Sequence, residues 1–172
     1  AVAALCRLEG EALHALREGA ATLAARGLRV LAVARADFEG GDWPADPAAF
    51  GFTWLGLVAL ADPLREAVPA AVQECREAGI RVLMITGDHP VTALAIAAQA
   101  GLDSRHGVIS GDEIDRLDDA ALRARLADTQ VFARIRPEQK LRIVQALQAA
   151  GEVMAMTGDG GNDAPSLKAA HI

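Results

Sequence analysis

Apolar residues recur at helical spacing from Ala1 to Arg26, and Gly27 follows as a helix stop. From Leu28 to Ala34 the spacing shortens to alternation (LRVLAVA), which predicts a strand. Residues 37–47, rich in Gly, Asp and Pro, read as a loop, and 52–60 as a second strand ended by Asp62-Pro63. Beyond that point strands and helices alternate. The pattern predicts a helix over 63–78 with Pro at its first turn and Gly79 at its stop, then a buried strand over 80–85. A tight turn at Thr86-Gly87-Asp88 leads to a helix over 90–100 closed by Gly101. A short strand near Val108 and a charged amphipathic helix over 118–127 follow, then a strand over 131–133 and a helix over 137–150. A strand over 153–156, a Gly/Asp loop over 157–163 and a helix over 164–170 complete the series. Alternation of this kind implies a parallel, doubly wound α/β sheet. The change of rhythm places a boundary near 53–62, dividing the chain into 1–55 and 56–172.

Composition narrows the class. Of 172 residues, 52% are hydrophobic and only 3% aromatic, a palette suited to helices packed on a buried parallel sheet. Net charge is −6 and the isoelectric point about 5.2, with no basic stripe, so a nucleic-acid partner is set aside. Cys6 and Cys75 have no CxxC or Cys/His spacing and read as buried thiols in a reducing compartment. No signal peptide opens the sequence, and the longest uncharged apolar stretches, 50–61 and 90–102, fall short of the roughly 18–20 residues of a membrane span. The chain is expected to be an excised, soluble piece of a longer one.

Ligands of open α/β sheets gather at the carboxyl ends of the strands, and three predicted strand ends carry suggestive groups. Thr86 and Gly87 offer a hydroxyl and a backbone donor that can bind a phosphoryl oxygen; taken alone, Thr86 reads first as an ordinary turn or cap residue. Lys140 falls in the first turn of a helix, where the macrodipole disfavours a cation, so it is either a solvated surface lysine or a charge held near a phosphoryl group. Asp159 and Asp163, four residues apart in a glycine-rich loop, can converge on one Mg²⁺, a cation that favours one or two carboxylates plus phosphate oxygens; turn and cap roles are the alternative. Neither Walker A, G-x-G-x-x-G nor EF-hand spacing is present. A hydroxyl, a cation and a carboxylate pair suit phosphoryl transfer, but the set lacks a nucleophile.

The segments Met84-Ile85-Thr86-Gly87-Asp88, 132–140 (FARIRPEQK) and 157–168 (TGDGGNDAPSLK) resemble the P-type ATPases, in that family's order and spacing. Asp62-Pro63-Leu64-Arg65 is similar to its D-P-P-R hinge, with Leu64 replacing the second proline. The resemblance covers essentially the whole chain. It implies an incomplete haloacid-dehalogenase-like sheet, lacking the strand with the phosphorylated aspartate and preceded by the end of an α+β nucleotide-binding domain. By similarity Thr86, Gly87 and Lys140 meet the phosphoryl group, Asn162 lies near it, Asp159 binds Mg²⁺ with Asp163 in support, and Asp88, Arg134 and Arg29 lie along ATP. The family's D-K-T-G-T and K-G-A-P-E motifs are absent from this sequence.

The resemblance further implies a parent pump in a membrane, most simply a bacterial plasma membrane, with this segment cytoplasmic. Its partners would be ATP, the rest of the same polypeptide and a cation carried by a membrane domain not contained here. Lys168 and the closeness of 132–140 favour the type II branch; Ser166 also occurs in proton pumps. Gly161 stands where Val or Thr is usual, at an expected entropic cost of roughly 0.5–1 kcal/mol. His171 stands where Asp is common and reads as a helix-surface variant. The alternatives are a soluble phosphatase of the haloacid dehalogenase superfamily and an inactive nucleotide-binding or regulatory module. The isolated segment is expected to be catalytically inactive.

Overall fold

A computed structural model describes residues 1–158 and 160–172. The chain forms two compact units, Ala1–Pro63 and Leu64–Ile172. A boundary at 55/56 would cut the strand that spans 53–60, whose residues on both sides of that point pair with the strand before it.

In the first unit, helices α1 (Val2–Leu5) and α2 (Gly10–Ala25) precede strands β1 (Arg29–Arg35) and β2 (Thr53–Leu60). The strands pair antiparallel, with a register shift between Val33 and Ala34. The helix packs on both strands, while Leu31, Val33, Val58 and Leu60 stay substantially exposed. Four of the six aromatic residues, Phe38, Trp43, Phe50 and Phe52, cluster in the intervening loop with ring centroids 5.2–5.9 Å apart.

The second unit holds three parallel strands, β3 (Met84–Ile85), β4 (Ile109–Ser110) and β5 (Val131–Ala133), in the order β3-β5-β4. Its helices are α3 (Val68–Glu77), α4 (Pro90–Ala100), α5 (Gly111–Arg116), α6 (Asp119–Asp128), α7 (Pro137–Ala149) and α8 (Ala164–Ala169). The central strand explains the layering. Val131 and Ala133 face a cluster with Ala93 and Ala97 of α4, where small residues bring the helix close. Phe132, on the alternate face, packs among Ile109, Ile114, Leu122, Leu126, Ile143 and Leu147. All three residues of β5 are fully buried, as expected of a strand covered on both sides.

Helix punctuation accounts for what matches and what does not. Pro90 at the first turn and Gly101 at φ 79° bound α4 as predicted, and Leu102 N donates to Ala97 O (2.9 Å) to close it. The helix predicted over 63–78 starts only at Val68. A start at 63 would put Pro69 in the helix interior, where it lacks a donor and its ring strikes the carbonyl four residues back. Helix α5 was not foreseen, although Ser110 Oγ accepts the Glu113 N–H (3.2 Å) as an N-cap. The strand predicted over 80–85 is reduced to Met84–Ile85.

The strand predicted over 153–156 does not form. A strand exists only through a ladder partner, and this segment instead meets the last residues of the chain, with His171 N to Met154 O and Met156 N to Ile172 O both at 3.1 Å. Val153 is 78% exposed.

Gly111 is fixed by close approach. A Cβ there would come within 2.5 Å of Gln139 Oε1 and nearer still to the Arg134 carbonyl oxygen. Gly111→Ala is therefore expected to lower stability by about 1–3 kcal/mol, the usual range for overpacking a tight site, read as a shift in denaturant midpoint at constant slope.

Candidate functional site

The carboxyl end of β3 passes directly into the Thr86-Gly87-Asp88 turn. Thr86 N still donates to Phe132 O of β5 (2.9 Å), and Thr86 O accepts Ile135 N (3.1 Å), so the turn is bolted to the neighbouring strand end. Within it, Thr86 Oγ1 donates to Asp88 Oδ2 (3.0 Å) and accepts the Asp88 N–H (3.1 Å). Asp88 O in turn accepts Arg134 N (3.0 Å). These bonds are those of an ordinary hydroxyl-closed turn. Gly87 differs: it is exposed, and a Cβ there would meet no protein atom within 4 Å. Packing does not demand glycine at this position.

Arg134 follows β5 at φ 55°, a left-handed conformation that is uncommon outside glycine, and its side chain is exposed. Two residues on, Gln139 Oε1 accepts the Arg136 N–H (2.9 Å) and caps α7. Lys140 then projects from the first turn of this helix. Its ammonium donates to Asp163 Oδ1 at 2.6 Å, with side-chain exposures of 19% and 11%. The unfavourable position of a cation at a helix N-terminus is thus offset by a carboxylate brought from a distant loop.

That loop is built around Asp163. Its residues Gly161–Asp163 form a single 3₁₀ turn, closed by Asp163 N to Gly160 O (2.9 Å). A Cβ at Gly158 would sit 2.7 Å from Asp163 Oδ2, so the chain can pass the carboxylate there only as glycine. Asn162 is exposed on the same turn. Asp159 lies outside the described residues. Gly161 has open space around its Cα and a φ outside the left-handed region, so nothing local requires glycine.

The Lys140 ammonium bonded to Asp163 holds the carboxyl below its ordinary value of 3.8; burial opposes this, and the Lys140 charge adds to the lowering. Asp163 is therefore ionised at neutral pH. As a hard oxygen donor it suits Mg²⁺ chemically. Among the described residues no group of three or more His, Cys, Asp or Glu side chains gathers into a metal site.

Two clusters thus occupy the same edge of the sheet: Thr86, Asp88 and the Arg134 backbone at the ends of β3 and β5, and Lys140 with Asp163 beside the start of α7. Arg29 is exposed at the start of β1, in the first unit. Sequence reasoning missed Gln139 and Gly111. Gln139, three residues after the Arg136 N-cap and behind Pro137, stands at the spacing of a capping residue and could have been found from it; its bonds to Gly111 and Asp115, and the close approach at Gly111, are tertiary contacts that no local spacing announces.

The class follows from the fold and from comparison together. The chain belongs to the haloacid dehalogenase-like hydrolases, whose family profile matches residues 7–171. More narrowly, it is 41% identical over 156 residues to calcium-transporting ATPase 1 of Bacillus cereus, covering 90% of this chain and 18% of that protein. It is 45% identical over 152 residues to the calcium-transporting ATPase of Bacillus subtilis, covering 87% and 17%. It is 48% identical over 161 residues to the probable cation-transporting ATPase F of Mycobacterium bovis, again covering 87% and 17%. The chain spans under a fifth of the length of these relatives. The kinship with P-type cation pumps and the incomplete haloacid-dehalogenase-like sheet expected from the motifs are borne out.

Two outcomes are expected. Because the folded pKa of Asp163 is depressed, its pairing adds stability that is fully present above the unfolded value near 4 and is lost as pH falls through the lower folded value. Asp163→Asn should therefore be less stable than the parent by a constant margin from pH 5 to 8, closing below about pH 4, as followed by thermal melts across pH. Gly161→Ala should raise stability by roughly 0.5–1 kcal/mol; a loss in chemical denaturation would show that glycine is needed there.

Proposed function

We propose that this chain is the cytoplasmic segment of a P-type pump that hydrolyses ATP through an aspartyl-phosphate and moves a cation across a membrane. It contributes phosphate-, Mg²⁺- and nucleotide-contacting groups, while the nucleophile comes from elsewhere in the polypeptide. The observation that carries this reading is the shielded Lys140–Asp163 pair at 2.6 Å, at the sheet edge that also bears the Thr86-Gly87 turn. A surface lysine in a helix first turn has no reason to be held this way.

In this reading the N–H of Gly87, an exposed residue for which no acceptor stands among the described residues, donates to a phosphoryl oxygen. The Thr86 hydroxyl adds a second contact when it turns from Asp88. Lys140 places a point charge against the phosphoryl group and Asp163 keeps that ammonium oriented. Mg²⁺, held by Asp159 and Asp163 with phosphate oxygens, would neutralise charge developing on the transferred group. Asn162 sits beside the phosphate, and Asp88, Arg134 and Arg29 lie along the nucleotide. Among the described residues β3 pairs on one side, with β5, and in this reading its other edge takes a further strand bearing the nucleophile. Among the described residues no helix is long and apolar enough to cross a membrane, so the cation path belongs to other parts of the polypeptide.

The test uses the intact polypeptide that contains this segment, radiolabelled ATP and Mg²⁺. An acid-stable phosphoprotein is expected, and Lys140→Ala should lower its rate of formation about a hundredfold, the scale set by losing one charge-stabilising group. The 172-residue chain alone should form none. Robust phosphatase turnover by that chain would replace the pump reading with that of a soluble phosphatase.

A further inference from the structure

We propose that Gln139, anchored on Asp115, is the positioning residue for Lys140: together they fix the first turn of α7 and with it the place of the ammonium group. This rests on the reading of Lys140 as the phosphate-facing charge, but its geometry stands independently.

Gln139 is 4% exposed, and both ends of its amide are engaged. Its Oε1 accepts the Arg136 N–H (2.9 Å), while Nε2 donates to Gly111 O (3.0 Å) and to Asp115 Oδ1 (2.8 Å). The second oxygen of Asp115 accepts the Arg136 guanidinium at 2.5 Å. Asp115, Arg136 and Gln139 therefore close a ring that ties the beginning of α7 to α5 through both backbone and side chains. Gly111 completes it: the missing Cβ lets α5 lie against the Gln139 amide and the Arg134 carbonyl at once.

Lys140 is the next residue, turned by about 100° around the helix, so its side chain leaves the ring and reaches Asp163. A long, flexible side chain holds one place only if its Cα is held, and the ring supplies that constraint. Arg142 offers the contrast. It also joins α7 to α5 and α6, donating to Ile114 O (2.6 Å), Leu117 O (2.6 Å) and Asp119 Oδ1 (3.0 Å), yet none of these side-chain bonds reaches the first turn. It is a structural tie on the same helix.

The chain contains only two lysines, Lys140 and Lys168, so the side-chain ammonium spectrum of the ¹⁵N-labelled chain has two signals, assigned with Lys168→Arg. The Lys140 ammonium should exchange slowly with water in the parent. Asp115→Ala and Gln139→Ala should speed that exchange about tenfold, whereas Arg142→Ala should leave it within about twofold while lowering the melting temperature. Should Gln139→Ala fail to fold, Arg136→Ala, at a side chain 64% exposed, removes one leg of the ring without opening the core. Unchanged exchange in the Asp115, Gln139 and Arg136 variants, or equal acceleration by Arg142→Ala, would overturn the proposal. Because the readout requires no ATP, failure here is distinct from failure of the pump reading, which the phosphoprotein assay decides.

Discussion

The Lys140–Asp163 ion pair is the contact on which the candidate site of this molecule is organised. It joins the start of α7 to a glycine-rich loop 23 residues further along the chain, and both charges are largely withdrawn from water. Shielded pairs of this kind are poor sources of net stability, since desolvation offsets much of the attraction. They are nonetheless costly to break from one side, about 3–5 kcal/mol, because the orphaned charge stays buried. Such an arrangement is better suited to holding a cation at a defined place than to strengthening a fold. Gly158, which admits the Asp163 carboxylate against the backbone, belongs to the same device.

The sheet beneath serves that edge. β5 is buried on both faces, with alanines of α4 on one side and branched residues of α6 and α7 on the other, so its carboxyl end is rigidly placed. From there the backbone turns at Arg134, bonds the Thr86-Gly87-Asp88 turn through Arg134 N and Ile135 N, and enters α7 through the Gln139 cap. The Thr86-Gly87-Asp88 turn and the start of α7 are thereby fixed relative to one short strand. Arg134 takes a left-handed backbone, where glycine would be unstrained, at the point where the chain leaves β5.

Much of this was legible because it is written locally. Pro90 and Gly101, Pro137 and Gly151 bound helices by their own backbone chemistry, and the apolar run at 131–133 was a buried strand on its face. The Thr86, Lys140 and Asp163 motifs were legible through a family resemblance, and Lys140 carries a further signal: fifteen of the seventeen basic residues are arginine, so a lysine here is a specific choice. What escaped depends on distant partners. The segment 153–156 has strand composition but no ladder to join. Gln139 announces its cap on Arg136 by spacing alone, but its bonds to α5, and the close approach that fixes Gly111, do not show in sequence. The late start of α3 was readable from Pro69 and was overlooked in favour of Pro63.

The central claim is that the Gly87 N–H, the Lys140 ammonium and the Asp163 carboxylate surround one Mg²⁺-associated phosphate. A crystal structure of the intact polypeptide with Mg²⁺ and beryllium fluoride, a mimic of the phosphoryl group, tests it most directly. A fluoride is expected within about 2.7–3.2 Å of Lys140 Nζ and of the Gly87 nitrogen, with the metal on the Asp159 and Asp163 side. A fluoride bound well away from Lys140, with the lysine still closed on Asp163 alone, would contradict it.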